Sequence, residues 1–390
     1  MTVSAQDQHW PWWPLLPLYP YGRRPTHIKE LIPDQVWGFE QLQGIYYVAV
    51  PIRLTVVKVP GGLMVVNPLP PTAELCSAIA QLEVEHGPVC TIVLPTASGL
   101  EHKLPLPALA RAFPKAELWV CPGQWSFPIQ LPLSWLGIPA SRTHVLLNDG
   151  VPHPEVCDWI SLGPLDLGLG LFQEISCLHQ PSGALLVTDA LVGINAQPPA
   201  IFDRDPTPLL FHARERGDEL LIDSPDARSR GWARLVLFAS YLRPEPLLVP
   251  TLGEVAHYAM RPGLRSARSH FGLYPFRWKD DWRAAANNLM GDHEPLLQVA
   301  PVLERLVLPR AQTTFLTWLE RLSQYTRVRW LIPAHYSAPL AFTSERIQRL
   351  REQLIVRDWA PSDHSWKFLA SIDQRLLDFG IVPTQPEQPI

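Results

Sequence analysis

The chain has 390 residues and a formal net charge of −4 at pH 7, so it offers no electrostatic reason to expect nucleic-acid binding. Hydrophobic residues make up 47% of it and charged residues 18%, a composition typical of a soluble globular protein with a large core. Its five cysteines include no CxxC pair, and no run approaches the roughly 20 apolar residues of a membrane helix. We therefore expect a cytoplasmic protein, with the surface of an internal membrane as the alternative location.

Residues 1–35 are predicted to form an extended arm rich in proline and tryptophan. Prolines at positions 11, 14, 17 and 20 exclude a helix over residues 9–24. Two interpretations stay open: the arm packs across its own domain, or its aromatic side chains contact a membrane interface or a partner protein. The aromatic residues available for that contact are Trp10, Trp12, Trp13, Tyr19 and Tyr21.

The segment after the arm alternates strands and helices. Three β-rich runs come first, the last two joined by a Gly-Gly turn: 44–50, 53–59 and 63–66. Thr72 is predicted to cap a helix that continues to about residue 85. A strand at 90–95, a helix at 105–113 and a strand at 117–121 follow, which is the alternation of a layered α/β domain.

The second half begins with a predicted hairpin and ends with helices. The hairpin joins residues 168–178 and 184–188 through the turn 180–183. Residues 195–300 are predicted to be an insertion of helices and proline-rich loops that covers part of the cleft, docked by Trp232, Trp278 and Trp282. A helix at 311–324, a strand at 328–333 and a helix at 343–355 follow. We assign 36–345 to one domain and 346–390 to a C-terminal helix and tail.

Three predicted strands are each followed by a loop with potential metal ligands. The first loop, 95–102, ends in Glu101 and His102; the others contribute Asp189 and His335. The first resembles the Thr-His-x-His-x-Asp-His motif of the metallo-β-lactamase-fold superfamily, with Ala97 and Gly99 at the positions of its first two histidines.

The other two loops extend this resemblance. Leu185–Asp189 is similar to the L-x-x-G-D motif of the superfamily, and Trp330–His335 is similar to its V-x-P-G-H motif. The motifs occur in the order of the superfamily. The resemblance implies a four-layer αββα sandwich whose strand ends near 95, 189 and 333 meet at one edge.

Nearly the whole chain resembles an uncharacterised branch of this superfamily found mainly in cyanobacteria and chloroplasts. The stretches that carry this resemblance are Trp13–Arg24, Pro95–His102, Gln124–Pro128, Leu210–Arg214 and Gly272–Phe276. It implies a fold and no particular activity.

By the same resemblance, the first of two metal sites has lost most of its ligands, since Ala97 and Gly99 lack donor atoms. His179 is a poor match for the remaining histidine, and we expect it on the hairpin away from the strand ends. The second site is complete if Glu101, His102, Asp189 and His335 converge. Such a set suits one Zn, Fe or Mn ion. The alternative is no metal, with Glu101 paired to Lys103 on the surface and the histidines bracing backbone.

These residues leave three classes of function open. The first is a binding or assembly protein with little or no catalysis. The second is a mononuclear metal-dependent hydrolase of an ester, thioester or phosphodiester, in which His102 and His335 hold the ion and Asp189 orients the attacking water. The third is an enzyme that uses the cleft without a metal.

A charged cluster in the predicted insertion is a further candidate. It comprises His212, Arg214, Arg216, Asp223 and Asp226. A solvated loop is the simpler interpretation of this cluster, and the mouth of a pocket is the other.

Overall fold

The computed structural model describes residues 18–124, 132–166, 171–260, 269, 272–291, 294–357 and 366–382. In these residues the strands are β1 (Leu18–Tyr19), β2 (His27–Ile32), β3 (Val36–Ile45), β4 (Val48–Val59), β5 (Gly62–Val66), β6 (Val89–Leu94), β7 (Glu117–Val120), β8 (Thr143–Val145), β9 (Cys157–Asp166), β10 (Leu171–His179), β11 (Ala184–Val187), β12 (Val192–Ile194), β13 (Leu247–Leu248), β14 (Arg277–Trp278), β15 (Leu296–Gln298), β16 (Trp330–Pro333) and β17 (Leu340–Ala341).

The helices of the same residues are α1 (Ala73–His86), α2 (Leu100–Lys103), α3 (Leu106–Ala112), α4 (Ile201–Arg204), α5 (Thr207–Ala213), α6 (Pro225–Tyr241), α7 (Leu252–Ala259), α8 (Trp282–Asn287), α9 (Pro301–Leu306), α10 (Leu308–Ser323), α11 (Ser344–Ile355) and α12 (Lys367–Asp378). None of them combines the length and apolar character needed to cross a bilayer. As predicted, Thr72 caps α1, accepting a hydrogen bond from the Leu75 amide.

Two sheets form the centre of the described structure. The first has the strand order β1-β3-β4-β5-β6-β7-β8, with β2 paired to β3, and the second has the order β17-β16-β11-β10-β9. Strands β5 to β8 are parallel to one another, and so are β11 and β16. Parallel neighbours bring their carboxyl ends to the same edge, where loops meet.

The sheets face each other, with helices on the outside. Along β4, Leu54 and Val56 pack with α1 and α3, whereas Val57 and Val59 pack with the second sheet. This alternation follows from the two-residue period of a strand. On the far side, α10 and α11 cover the second sheet. The expected αββα sandwich is therefore confirmed.

Some elements differ from the sequence-based expectation. Strand β9 was not predicted, because Gly163 and Pro164 interrupt its apolar pattern. Helix α5 was also missed; it carries Pro208 in its first turn, where a proline costs no helical hydrogen bond. Residues 168–170 of the predicted strand lie outside the described residues. Helix α11 extends the outer layer past residue 345.

The predicted insertion packs against the first sheet and not apart from it. Trp232, Trp278 and Trp282 share one buried cluster with Leu42 and Tyr47 of the β3–β4 region. The Trp232 ring also lies 6.0 Å from the ring of Tyr336, which follows His335. The insertion therefore contacts the loop that carries a predicted site residue. The domain boundaries themselves stay a prediction.

The described part of the arm is buried. Tyr19 and Tyr21 are each 4% exposed. The Tyr19 ring is tilted against the ring of Tyr47, and the Tyr21 ring packs edge-on against it. These two tyrosines are thus not available to a membrane or a partner, which corrects that part of the expectation. Trp10, Trp12 and Trp13 lie outside the described residues.

Candidate metal centre

The predicted site residues come from both sheets. Val187 of β11 pairs with Pro333 of β16, so Asp189 and His335 each follow by two residues the ends of neighbouring parallel strands. The loop after β6 reaches this edge from the other sheet. Its Thr96 forms an isolated bridge with Glu174 of β10.

Four side chains meet at this edge. The Nε2 atom of His335 lies 3.0 Å from Oδ1 of Asp189 and 3.5 Å from Oε1 of Glu101. The rings of His102 and His335 have centroids 5.9 Å apart. One donor atom each of Glu101, His102 and His335 lies within 4.8 Å of the others. Asp189 touches His335 and stands at the margin of this set of three.

The orientation of His102 leaves one nitrogen without a partner. Its Nδ1 lies 3.1 Å from the carbonyl oxygen of Pro68, an acceptor, so Nδ1 carries the proton and donates it. Nε2 is therefore the lone-pair atom, and it is buried with no hydrogen-bond partner among the described residues. A backbone carbonyl that fixes the tautomer in this way is the usual support of a metal-ligating histidine.

Electrostatics keep His102 and Glu101 in the protonation states that ligands need. Burial lowers the pKa of His102, so its imidazole stays neutral. Burial opposes ionisation of Glu101, but its hydrogen bond with His335 and the positive charge of that imidazole hold its pKa at about 2.

His335 carries the compensating charge. Burial works against protonation of this imidazole, but hydrogen bonds to Asp189 and Glu101 raise its pKa to about 10. The proton on Nε2 and a divalent cation compete for the same nitrogen, because a ligating histidine has to be neutral. In the structure, a proton on His335 Nε2 thus holds the position between the two carboxylates that a divalent cation would need.

Ala97 and Gly99 are the positions that the resemblance matches to the first two histidines of the motif. A Cβ atom on Gly99 would lie 3.3 Å from Oε1 of Glu101 and 3.5 Å from Oδ2 of Asp189, and 2.8 Å from Cγ2 of Thr96. Position 99 thus faces the site and has no room for a side chain. Ala97 is fully buried in the core between the sheets.

Arg53 supports the loop that carries His335, and sequence reasoning did not identify it. Its guanidinium donates to the carbonyls of Pro333 and Tyr336 and pairs with Glu40. Its amide donates to the carbonyl of Ala334, at 2.7 Å. Both Arg53 and Glu40 are buried. A charged residue inside a predicted strand was the signal that could have revealed this clamp.

Glu174 is a second unpredicted residue. Its carboxylate accepts hydrogen bonds from the amides of Thr188, Asp189 and Ala190, at 2.8–2.9 Å. It is completely buried, and burial, followed by the charge of Asp189, raises its pKa to about 7. Glu174 thereby fixes the backbone of the Asp189 loop.

Two other expectations can be compared with the structure. Lys103 is buried and its ammonium donates to the carbonyl of Ala97, at 2.6 Å, so a surface ion pair between Glu101 and Lys103 is not formed. Burial lowers the pKa of Lys103 to about 8. His179 lies at the β10–β11 turn, 2.8 Å from the Ser182 hydroxyl, away from the strand ends as expected.

Two facing sheets with outer helices, and a histidine–carboxylate cluster at their strand ends, define a metallo-β-lactamase-like fold. Within this class, the chain belongs to the family described as Domain of unknown function (DUF4336), whose model matches residues 33–352. Among curated proteins, none matches the sequence.

Several solved structures are similar to this chain. DIM-1 metallo-β-lactamase is 10% identical with a TM-score of 0.39, covering 85% of this chain and 99% of its own. A metallo-β-lactamase from Pontibacter korlensis is 11% identical with a TM-score of 0.39, at 85% and 100% coverage. The Flv1 flavodiiron core from Synechocystis sp. PCC6803 is 10% identical with a TM-score of 0.42, at 87% and 63% coverage.

Proposed function

We propose that this chain binds one divalent cation at the four-residue site and works as a binding or assembly protein with little or no hydrolytic turnover. The observation that carries the proposal is the buried Nε2 of His102, which has no hydrogen-bond partner in the part of the chain that the structure describes and belongs to the same set as Glu101 and His335. A buried nitrogen lone pair without a donor costs free energy. A cation beside it removes that cost.

The ligand set suits a borderline metal. His102 and His335 would supply imidazole nitrogens, and Glu101 and Asp189 would supply carboxylate oxygens. Zn, Fe(II) and Mn(II) all accept such a mixture. When bound, the ion would supply Lewis-acid polarisation.

Weak catalysis follows from the residues around positions 97 and 99. The alanine and the glycine provide no donor atom, and a side chain at position 99 would contact Thr96 and Glu101. A second ion would find no side-chain ligand at these two positions. Clamping both the attacking and the leaving oxygen of a substrate takes two ions, so this chain lacks that means of acceleration.

A mononuclear hydrolase of an ester, thioester or phosphodiester is the second candidate. It is favoured by the partial exposure of the site, since the side chains of Glu101, Asp189 and His335 are 25%, 18% and 15% exposed. Solvent and a small substrate can therefore reach the carboxylates. In that case Asp189 would orient the attacking water by accepting its hydrogen bond.

The test measures metal content and turnover on the full chain. We expect about one equivalent of Zn, Fe(II) or Mn(II) after equilibrium dialysis and elemental analysis, and only marginal hydrolysis of a thioester and of bis(p-nitrophenyl) phosphate. Turnover abolished by His102→Ala would favour the mononuclear hydrolase. Two bound equivalents with brisk turnover would overturn the proposal, and so would failure to bind any of the three metals.

A further inference from the structure

A cavity lies in the insertion, and none of the four candidate metal ligands lines it. Its volume is about 530 Å³, within the range of small-molecule sites. It is bounded by α5, the following loop and the first turn of α6, and its walls include Leu210, Ala213, Arg214, Leu220, Ile222 and Arg230.

Arg214 in this cavity wall is a buried cation without a carboxylate partner. It is 3% exposed, and no carboxylate of the described residues lies within ion-pair distance of it. Its Nε donates to the Phe211 carbonyl at 3.4 Å and its Nη1 to the Gly217 carbonyl at 3.1 Å. Its Nη2 is buried and has no hydrogen-bond partner among those residues.

The contacts of Arg214 hold the guanidinium in place without a carboxylate in ion-pair contact, although the charge of Glu219 acts on it from farther away. The group lies over the rings of Phe211 and Tyr274, at 4.7 and 4.5 Å from their centroids. The rings and carbonyls stabilise a cation only partly. Removing a guanidinium from water is otherwise offset by an anion. The neighbouring Arg216 is already paired with Asp218.

The rest of the cavity wall is mixed and open. It includes the carboxylates of Asp218, which pairs with Arg216, and of Glu219, which accepts a hydrogen bond from the Glu215 amide. Leu220 and Ile222 are 68% and 69% exposed, although both line the cavity. Two exposed aliphatic side chains beside a buried cation form a surface with one apolar and one cationic part. A ligand with an anionic head and an apolar chain would pair with the cation and cover the aliphatic side chains at the same time.

We propose that this cavity binds a small free amphiphile with an oxyanion head, a carboxylate or a phosphate monoester on a short apolar chain. The head pairs with Arg214, and the chain packs on Leu220 and Ile222. The solvated loop expected for the charged cluster is thus corrected for two of its residues: His212 and Arg214 are buried, whereas Arg216, Asp223 and Asp226 are exposed. The proposal is independent of metal binding.

The experiment titrates the full chain with matched eight-carbon probes by calorimetry. Octanoate and octyl phosphate carry the oxyanion head, octanol is neutral and octylammonium is cationic. We expect at least tenfold tighter binding of an oxyanion probe than of octanol and no binding of octylammonium. Equal binding of octanol, or no binding of either oxyanion probe at millimolar concentration, would overturn the proposal.

Variants separate the cavity from the general surface. Arg214→Met keeps the length of the side chain and removes the charge, and Ile222→Asp places a negative charge at the exposed mouth. Each should weaken octanoate binding at least tenfold. Leu252→Asp is the control, because Leu252 is 89% exposed and does not line the cavity; it should bind as the unchanged chain does.

Two further outcomes are decisive. If Arg214→Met does not fold, Ile222→Asp alone decides, since an exposed position tolerates substitution. Unchanged octanoate binding in a folded Ile222→Asp variant would overturn the proposal. Binding to phosphatidylglycerol vesicles without binding of free octanoate would indicate a lipid surface as the ligand and would also overturn it.

Discussion

The Nε2 atom of His335 lies 3.0 Å from Oδ1 of Asp189, across 146 positions of the chain. The contact exists because β11 and β16 are parallel neighbours, and both residues follow the ends of those strands. Glu101 and His102 reach the same point from the other sheet. The site is therefore sensitive to changes in either sheet.

Removing the imidazole of His102 should weaken metal binding. His102→Ala deletes one proposed ligand and leaves the contact between Nε2 of His335 and Oε1 of Glu101, at 3.5 Å. We expect at least a tenfold loss of affinity for Zn, measured by competition with a chromogenic chelator. His257→Ala is the control, because His257 is exposed on α7. Equal losses in the two variants would contradict the assignment.

A single methyl group at position 99 should disturb the site. The Cβ of Gly99→Ala would lie 2.8 Å from Cγ2 of Thr96 and 3.3 Å from Oε1 of Glu101, so the carboxylate has to move. We expect weaker metal binding and a lower free energy of unfolding. Gly253→Ala is matched, since its Cβ meets nothing within 4 Å and alanine favours a helix by up to about 1 kcal/mol. Unchanged metal affinity in Gly99→Ala would show that position 99 does not face the site.

Arg53 should be important for stability. Arg53→Met leaves Glu40 buried without its partner, which costs about 3–5 kcal/mol, and frees the loop carbonyls of Pro333 and Tyr336. Urea denaturation should show this loss. The double variant Arg53→Met, Glu40→Leu should recover much of it. Lys58→Met removes the exposed pair with Asp34 and should change little; a similar loss there would rule out a special role for the clamp.

Acid should destabilise the insertion through His212. This histidine is fully buried, its Nε2–H donates to the carbonyl of Tyr47 at 3.1 Å, and Nδ1 has no partner among the described residues. Burial, with smaller effects of Arg214 and Arg234, lowers its pKa to about 3. Below about pH 6.5 the unfolded chain binds a proton that the folded chain does not. Stability should therefore fall by about 1.4 kcal/mol per pH unit down to about pH 3.

The variant His212→Gln tests this slope, because its amide can still donate to Tyr47 and does not titrate. We expect the urea midpoint to fall less between pH 7 and pH 5 in the variant than in the unchanged chain. Burial also lowers the pKa of His179, to about 4, so a residual slope remains. Identical slopes would show that His212 is protonated in the folded state.

Local patterns in the sequence were sufficient for much of the scaffold. The β-rich runs of β4 and β5, the Gly-Gly turn and the cap at Thr72 all correspond to the structure within a few residues. These features depend on neighbours along the chain, so the sequence contains them. Strand β9 and helix α5 were missed, because their glycine and proline have roles that only the three-dimensional context reveals.

The sequence by itself determined which residues can act as ligands and in which order they occur: Glu101, His102, Asp189 and His335. Only the tertiary structure decided that they meet. Their loops belong to two different sheets, and these sheets are held face to face by the hydrophobic core between them. It also decided the burial of Arg53, Glu174 and Arg214. Burial is a property of the whole packed molecule, so a charged residue within a strand pattern, such as Arg53, points to burial without deciding it.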